Sequence, residues 1–383
     1  MSGPAPVDAA PDVVCLGESM VTFLPSLPGR LADVPSFTRA IGGAESNVAC
    51  SLAAAGHRVR WVGRVGRDGF GDHLVDTIGG HGVDVTAVGR DPHRPTGVYF
   101  RTDEDRATDA HEVVYYRAGS AASAMSPATV PYDSVAGARI LHVTGITAAL
   151  SADCLALMRE LTAPRPGRPL VSFDVNHRPG LWRDGSAPSV LLDLARRADV
   201  VFVGADEAER LWGVGDPAAI RAVLAEPAVL VVKRGAEGAV AFERCGVGKE
   251  APRSGPAPAP GTDSASGHGP APDTRSAPRS GPATDTDTVT RTPAPRVTVV
   301  SPVGAGDAFA AGFLSATLRG LGMTARLRHG HLVAAAVLTV PGDLAAPPRR
   351  GHADRLAALD DAAWGTLHLG PGWTGDDQEV RTP

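Results

Sequence analysis

Gly304-Ala305-Gly306-Asp307 sets three small residues directly ahead of a carboxylate, and the Ala-rich apolar segment Ala308 to Leu314 follows. Small residues at a helix start let backbone N–H groups approach an anion, and the helix dipole adds positive potential there. Asp307 is then the one acid held beside a bound phosphate, and the same dipole is expected to keep it ionised. The combination suits phosphoryl transfer to a hydroxyl, with N–H groups for the developing charge and a carboxylate for the proton. A Gly-rich turn also serves as a purely structural helix start, so the segment by itself leaves both readings open.

Further groups of residues could bind a small polar ligand. Gly42-Gly43-Ala44-Glu45-Ser46-Asn47 permits close backbone approach to a polyol, with Asn47 offering donors and an acceptor to hydroxyls. It reads equally as a tight turn closed by an Asn N-cap. Tyr115 and Arg117 share one face of a strand, so an aromatic ring and a guanidinium point the same way. Such a pair can cover a sugar ring and grip a carboxylate, although each arginine also fits a surface ion pair. Phe173 to Pro179 leaves a strand end, where Arg178 before Pro179 is extended and presented outward. His142 and His177 read as packing or hydrogen-bonding histidines. Lys233 to Gly238 is a Gly-rich turn between two strands, open either to a nucleotide's phosphates or to a plain hairpin. Gly63 to Gly71 misses the dinucleotide spacing and shows no apolar helix behind it, and no Gly-x-x-x-x-Gly-Lys-[Ser/Thr] occurs.

The elements that must position these residues alternate. Strand-like runs recur at 13–16, 60–63, 140–143, 170–173, 200–203 and 229–232, and helical patterns separate most of them. A helix is expected from Asn47 to a stop at Gly56, and others over 191–197 and 217–224, the last opened by Asp216-Pro217. A β-branched run at 297–300 predicts a strand leading into Gly304. Such alternation gives an α/β fold with a parallel sheet covered on both faces. Two stretches at 96–101 and 112–117 stand apart as a hairpin, a candidate lid. Residues 246–296 hold about ten of the 33 prolines and almost no large apolar side chains, which marks an insertion without a core of its own.

Composition narrows the classes. At 383 residues, 43% of them hydrophobic, the chain can bury a large core. A net charge of -5 without a basic stripe argues against a nucleic-acid partner, and no apolar run is long enough for a membrane span. Cys15, Cys50, Cys154 and Cys245 are scattered, as expected of free thiols in a reducing compartment, and the start lacks a secretory signal. The expectation is a cytoplasmic protein.

Taken together, the residues resemble the ribokinase-like sugar kinases. Gly42-Gly43 with Asn47, Gly63 to Gly71 with Asp68, Lys233 to Gly238, and Gly304 to Asp307 stand in that family's order and spacing along nearly the whole chain. The resemblance implies a ribokinase-like three-layer α/β/α sandwich with a small β-lid. It also implies ATP, magnesium, an optional monovalent cation, and transfer of the γ-phosphate to a sugar hydroxyl. Asp307 matches the base, and the N–H groups of Gly304, Ala305 and Gly306 match the anion hole. Gly42, Gly43 and Asn47 match sugar contacts, and Lys233, Gly235, Gly238, Gly304 and Gly306 match nucleotide contacts. The family's Asn-x-x-Glu motif is Gly204-Ala205-Asp206-Glu207 here, which keeps Glu207 for magnesium but loses the amide. Its usual Asp-Thr ahead of the anion hole is Ser301-Pro302, a carboxylate lost.

Within the family, Tyr115 to Ala121 and Asp174 to Trp182 look most like 2-keto-3-deoxygluconate kinases, where matching Tyr and Arg positions hold an acidic sugar. That implies Tyr99, Tyr115, Arg117 and Arg178 as substrate contacts together with Asp307. A 5-dehydro-2-deoxygluconokinase is the runner-up, and a catalytically weak regulator that binds sugar acids is the alternative from another class. The expected partners are a small sugar or sugar acid, ATP and a second copy paired through the lid. The expected layout is a tail at 1–11, a kinase domain at 12–366 with lid strands near 31–41 and 94–117, and a tail at 367–383.

Overall fold

Residues 10–27, 29–102, 112–244 and 287–375 are described by the computed structural model. The main sheet has eight strands: β1 (Val13–Leu16), β4 (Val59–Val62), β9 (Ile140–Thr144), β10 (Leu170–Asp174), β11 (Val200–Gly204), β12 (Val229–Lys233), β13 (Ala239–Arg244) and β14 (Asp287–Thr292). Their spatial order is β14-β13-β12-β11-β10-β9-β1-β4. From β4 to β12 every pairing is parallel, and β13 and β14 add on antiparallel. The parallel strands read as short, mostly apolar runs because both faces are covered, whereas the edge strand β14 is largely polar and exposed.

Alternation splits each run between two cores. Val14, Leu16, Leu141 and Val143 pack under α3 (Gly145–Ala149), α4 (Ala152–Leu161), α5 (Ala187–Arg197), α6 (Ala205–Trp212) and α7 (Pro217–Val223). Val13, Cys15, Ile140 and Phe202 pack under α1 (Ala44–Ala54), α2 (Gly69–Gly80), α8 (Ala305–Leu318) and α9 (Met323–Leu338). The result is the expected three-layer α/β/α sandwich. Cys15, Cys50 and Cys154 are buried free thiols, and Cys245 lies outside the described residues.

A separate four-stranded sheet forms the lid. Its order is β3 (Phe37–Gly42), β2 (Met20–Pro25), β7 (Val98–Arg101), β8 (Val113–Tyr116), with β7 and β8 antiparallel as expected of the hairpin. β2 was not legible as a lid strand, and the lid stretch near 31–41 starts only at Phe37. Two small parallel pairs complete the strands: β5 (Arg64–Gly66) with β6 (Gly89–Asp91), and β15 (Arg296–Val297) with β16 (His368–Leu369).

Several boundaries correct the sequence reading. α1 begins at Ala44, so Asn47 lies inside its second turn and Gly43 is the N-cap. A helix does follow Gly63 to Gly71: α2 is capped by Asp68, whose carboxylate accepts from Phe70 N and Gly71 N. The expected strand at 297–300 reduces to Arg296–Val297, with Val299 and Val300 about 43% and 44% exposed. Residues 287–292 of the expected insertion, 246–296, form β14 and Arg296 opens β15, while 246–286 lie outside the described residues. Of the expected tail 367–383, residues 367–375 are described and hold buried side chains. Leu367, Leu369 and Trp373 are buried against α9, α10 (Arg350–Ala357) and α11 (Asp361–Thr366).

Candidate active site

The carboxyl ends of the parallel strands converge on one edge, where ligands bind in open α/β sheets. Thr144 ends β9, Asp174 ends β10, Gly204 ends β11 and Lys233 ends β12. α1 and α8 start at the same edge, and Asn47 Nδ2 donates to Asp307 Oδ2 at 3.0 Å. Two motifs 260 residues apart thus meet in one hydrogen bond.

Asp307 stands in the first turn of α8, whose N-cap Gly304 takes the left-handed conformation at φ 80. The backbone of Asp343 lies against Gly304, only 2.5 Å from where a Cβ would stand, so no side chain fits. The expectation that the helix dipole keeps Asp307 ionised is corrected here. Burial pushes its carboxyl up to about 7, and Asp174 adds to the rise, while the Asn47 hydrogen bond, Arg178 and Lys233 only partly offset it.

Behind Asp307 lies a charged cluster. Lys233 Nζ donates to Asp174 Oδ2 at 2.8 Å and stands 3.7 Å from the Cβ position of Gly306. Burial works against the Lys233 charge, but Asp174 and Glu207 outweigh it and raise its pKa above the ordinary lysine value. Asp174 Oδ1 is buried without a hydrogen-bond partner. Both Glu207 oxygens accept backbone N–H groups, from His177 and from Gly204. Glu207 therefore pins the loop after β10, where Asn176 has φ 40, unique among the described non-glycine residues. His142 donates to or accepts from Ser172 at 3.0 Å, the hydrogen-bonding role expected of it.

The main cleft, about 840 Å³, lies between this edge and the lid. All eight residues expected to touch substrate line it: Gly42, Gly43, Asn47, Tyr99, Tyr115, Arg117, Arg178 and Asp307. A second cleft of about 330 Å³, between α1, α8 and α10, holds none of them. Lys233, Gly235, Gly238, Gly306 and Glu207 fall outside the main cleft lining; Lys233 and Gly306 flank Asp307 from the other side. Gly235 and Gly238 shape the β12–β13 turn, with Gly238 packed against the backbone of Thr292 and Pro293.

Sequence reasoning missed four of the charged lining residues, Glu18, Arg101, Arg183 and Asp343. Glu18 accepts from Arg117 NH2, and Ser120 Oγ donates to it at 2.7 Å. Arg117 is therefore already paired, with Glu18 wholly buried. Asp343 pairs with Arg101 at 2.8 Å across the cleft. Arg183 lies near Arg178 in the lining, and neither forms an ion pair among the described residues. Asp174 was visible in its motif, but nothing local marked it as the acid facing Lys233. Glu18 and Asp343 carry no motif, and only the tertiary fold brings them in.

The donor set accommodates magnesium in one way. No group of three or more His, Cys, Asp or Glu residues is disposed to hold a metal among the described residues. Asp174, with its free oxygen, and Glu207 fit an ion that draws most of its ligands from phosphate and water. Among the described residues no helix is long and apolar enough to cross a membrane.

A family model described as pfkB family carbohydrate kinase matches residues 10–256 and 283–350. The chain is 34% identical over 355 residues to the 2-dehydro-3-deoxygluconokinase of Bacillus subtilis, covering 91% of this chain and 95% of that one. It is 36% identical over 244 residues to the Thermoproteus tenax protein of the same name, covering 63% and 74%. A crystal structure of a PfkB protein from Polaromonas superposes with a TM-score of 0.69 at 31% identity, covering 91% of this chain and all of that one.

Proposed function

The chain belongs to the pfkB family of carbohydrate kinases and is a sugar kinase, and from that premise we propose that it phosphorylates 2-keto-3-deoxygluconate (2-dehydro-3-deoxygluconate) at its 6-hydroxyl, using ATP. The observation that carries the substrate is the charge balance of the cleft. Arg101 and Arg117 are balanced by Asp343 and Glu18, while among the described residues Arg178 and Arg183 form no ion pair, Arg178 acting only at longer range on Asp307. A carboxylate on the sugar is the counter-ion this cleft lacks, and a guanidinium binds one as a bidentate fork. Arg178 then takes the acid group, and Arg117, held by Glu18, fixes the end of the lid. The full-length likeness to the Bacillus relative of that name supports the same substrate.

Each side chain has a part in the transfer. Gly42, Gly43 and Asn47 hold the sugar so that its hydroxyl faces Asp307. Asp307 accepts the hydroxyl proton; at about 7 its carboxyl is a stronger base than an ordinary aspartate and is still ionised in part at neutral pH. The N–H groups at the start of α8 meet the charge on the phosphoryl group. Lys233 stays cationic beside Gly306 and adds to that potential. Asp174 and Glu207 are the residues that would hold magnesium, which when bound neutralises phosphate oxygens.

Incubation with ATP, magnesium and 2-keto-3-deoxygluconate, read by phosphorus NMR, should give a 6-phosphate monoester. Product formed from neutral hexoses but not from this acid would overturn the reading.

A further inference from the structure

The second cleft, between α1, α8 and α10, shares no residue with the main one. Arg319, Arg349, Arg350, His329, Ser51 and Ser315 line it, and among the described residues no carboxylate does. Small side chains, Ala54 on α1 with Ala311 and Gly312 on α8, leave the space between the helices open. The molecule as a whole carries a net charge of -5, so three guanidiniums around one small cleft are a local concentration of the opposite sign.

Asp354, beside the cleft, meets part of that charge. Arg319 Nη2 donates to both of its oxygens, at 2.7 and 2.8 Å, and His329 Nε2 stands 3.1 Å from Oδ1. Arg319 spends only that one nitrogen on Asp354, which leaves the other edge of its fork for a further acceptor. Among the described residues Arg350 bonds only to the Ala55 carbonyl, at 3.5 Å, the far limit of a hydrogen bond. His57, whose Nε2 lies 2.8 Å from Ser315 Oγ, feels the same field. Burial lowers its pKa, and Arg350, Arg139 and Arg319 lower it further against the pull of Asp12. α10 opens here without a side-chain cap, so the start of its dipole adds to the positive potential.

We propose that this cleft is a second ligand site, which takes the phosphomonoester of a small polyol with its phosphate on Arg319 and Arg350 and its hydroxyls toward Ser51 and Ser315. Guanidinium forks match phosphate oxygens, and a phosphate dianion is the charge that two arginines on facing helices can share. A cleft of about 330 Å³ stands at the lower end of small-molecule pockets, which suits a body of one sugar ring rather than a nucleotide. The bound ester bridges α8 and α10 across the mouth of the cleft. The site does not depend on which sugar the main cleft phosphorylates.

The test is isothermal titration calorimetry of the full chain, with magnesium and a non-hydrolysable ATP analogue saturating the nucleotide site. Glucose 6-phosphate and inorganic phosphate are the two probes. Glucose 6-phosphate should bind with a Kd below about 1 mM, at least about tenfold tighter than inorganic phosphate. Arg350→Glu reverses an exposed charge far from the main cleft and should weaken that binding at least about tenfold, with kcat for sugar phosphorylation within about twofold. Arg178→Ala, in the main cleft, should leave it within about threefold. Unchanged binding in Arg350→Glu, or loss in Arg178→Ala instead, would place the ester in the main cleft and overturn the proposal. Equal affinity for the two probes would mean an adventitious ion only, and no binding of either would likewise overturn it.

Discussion

At the scale of single residues, the account turns on Asp307. Its side chain is the one acid bonded to Asn47 at the mouth of α8, so replacing it removes the proton acceptor and keeps the shape. Asp307→Asn should lower turnover by at least about a hundredfold while ATP affinity changes little, as steady-state kinetics would measure. The pH profile follows from the same residue. A carboxyl held at about 7 must lose its proton before it can accept one, so kcat/KM should climb with pH through about 7 and level off above. The Asn47 hydrogen bond favours the ionised form, so Asn47→Ala should move that midpoint to higher pH. A profile flat through neutrality would be inconsistent with Asp307 as the base. Asp307, Asn47 and Arg178 were legible because each sits in a local motif at a glycine turn or before a proline. Glu18 and Asp343 were not, because their roles come from partners 99 and 242 residues away.

At the scale of elements, the lid leaves an edge open. β8 is the last strand of its sheet, and Val114, Tyr115 and Tyr116 are about 40%, 49% and 64% exposed. Exposed apolar strand edges invite pairing, and a second copy of the same lid supplies a symmetric partner. Light scattering at micromolar concentration should report a homodimer, and Tyr116→Asp should shift it toward monomer; a wild-type monomer with full activity would contradict this. Element identity was largely legible for the sheet, since strands buried on both faces read as plain apolar runs. It failed at 297–300, where a β-branched run has the local preference for a strand but the ladder with β16 holds only Arg296 and Val297, ending in the bond from Thr298 N to Leu369 O. It failed at α1 too, where Asn47 has the type of an N-cap but the close pass of Gly43 by the Glu18 backbone starts the helix earlier.

For the whole molecule, the long connection after β13 should be dispensable. Arg244 pairs directly with Asp287, so the two strand ends already stand where a short turn can join them. The family model also passes over residues 257–282. Replacing residues 248–284 by a short Gly-Ser turn should keep β13 and β14 paired and turnover within about threefold, a barrier change of about 0.65 kcal/mol or less. A large rise in the KM for ATP at unchanged Tm would give the segment a part in nucleotide binding. A cut extended to residue 294 would delete β14 and should cost the fold, which is why composition alone set the boundary too far along the chain.

Net charge gives the sharpest test. At -5 the molecule as a whole does not attract an anionic sugar, so any preference for one must come from Arg178 and Arg183 of the cleft, which form no ion pair among the described residues. The direct measurement is kcat/KM for 2-keto-3-deoxygluconate relative to a neutral analogue, in the wild type and in Arg178→Lys. The account predicts a ratio well above one that falls at least about tenfold in the variant, since a lysine cannot reproduce the bidentate contact. A variant that loses both substrates equally, with the ratio unchanged, would contradict it.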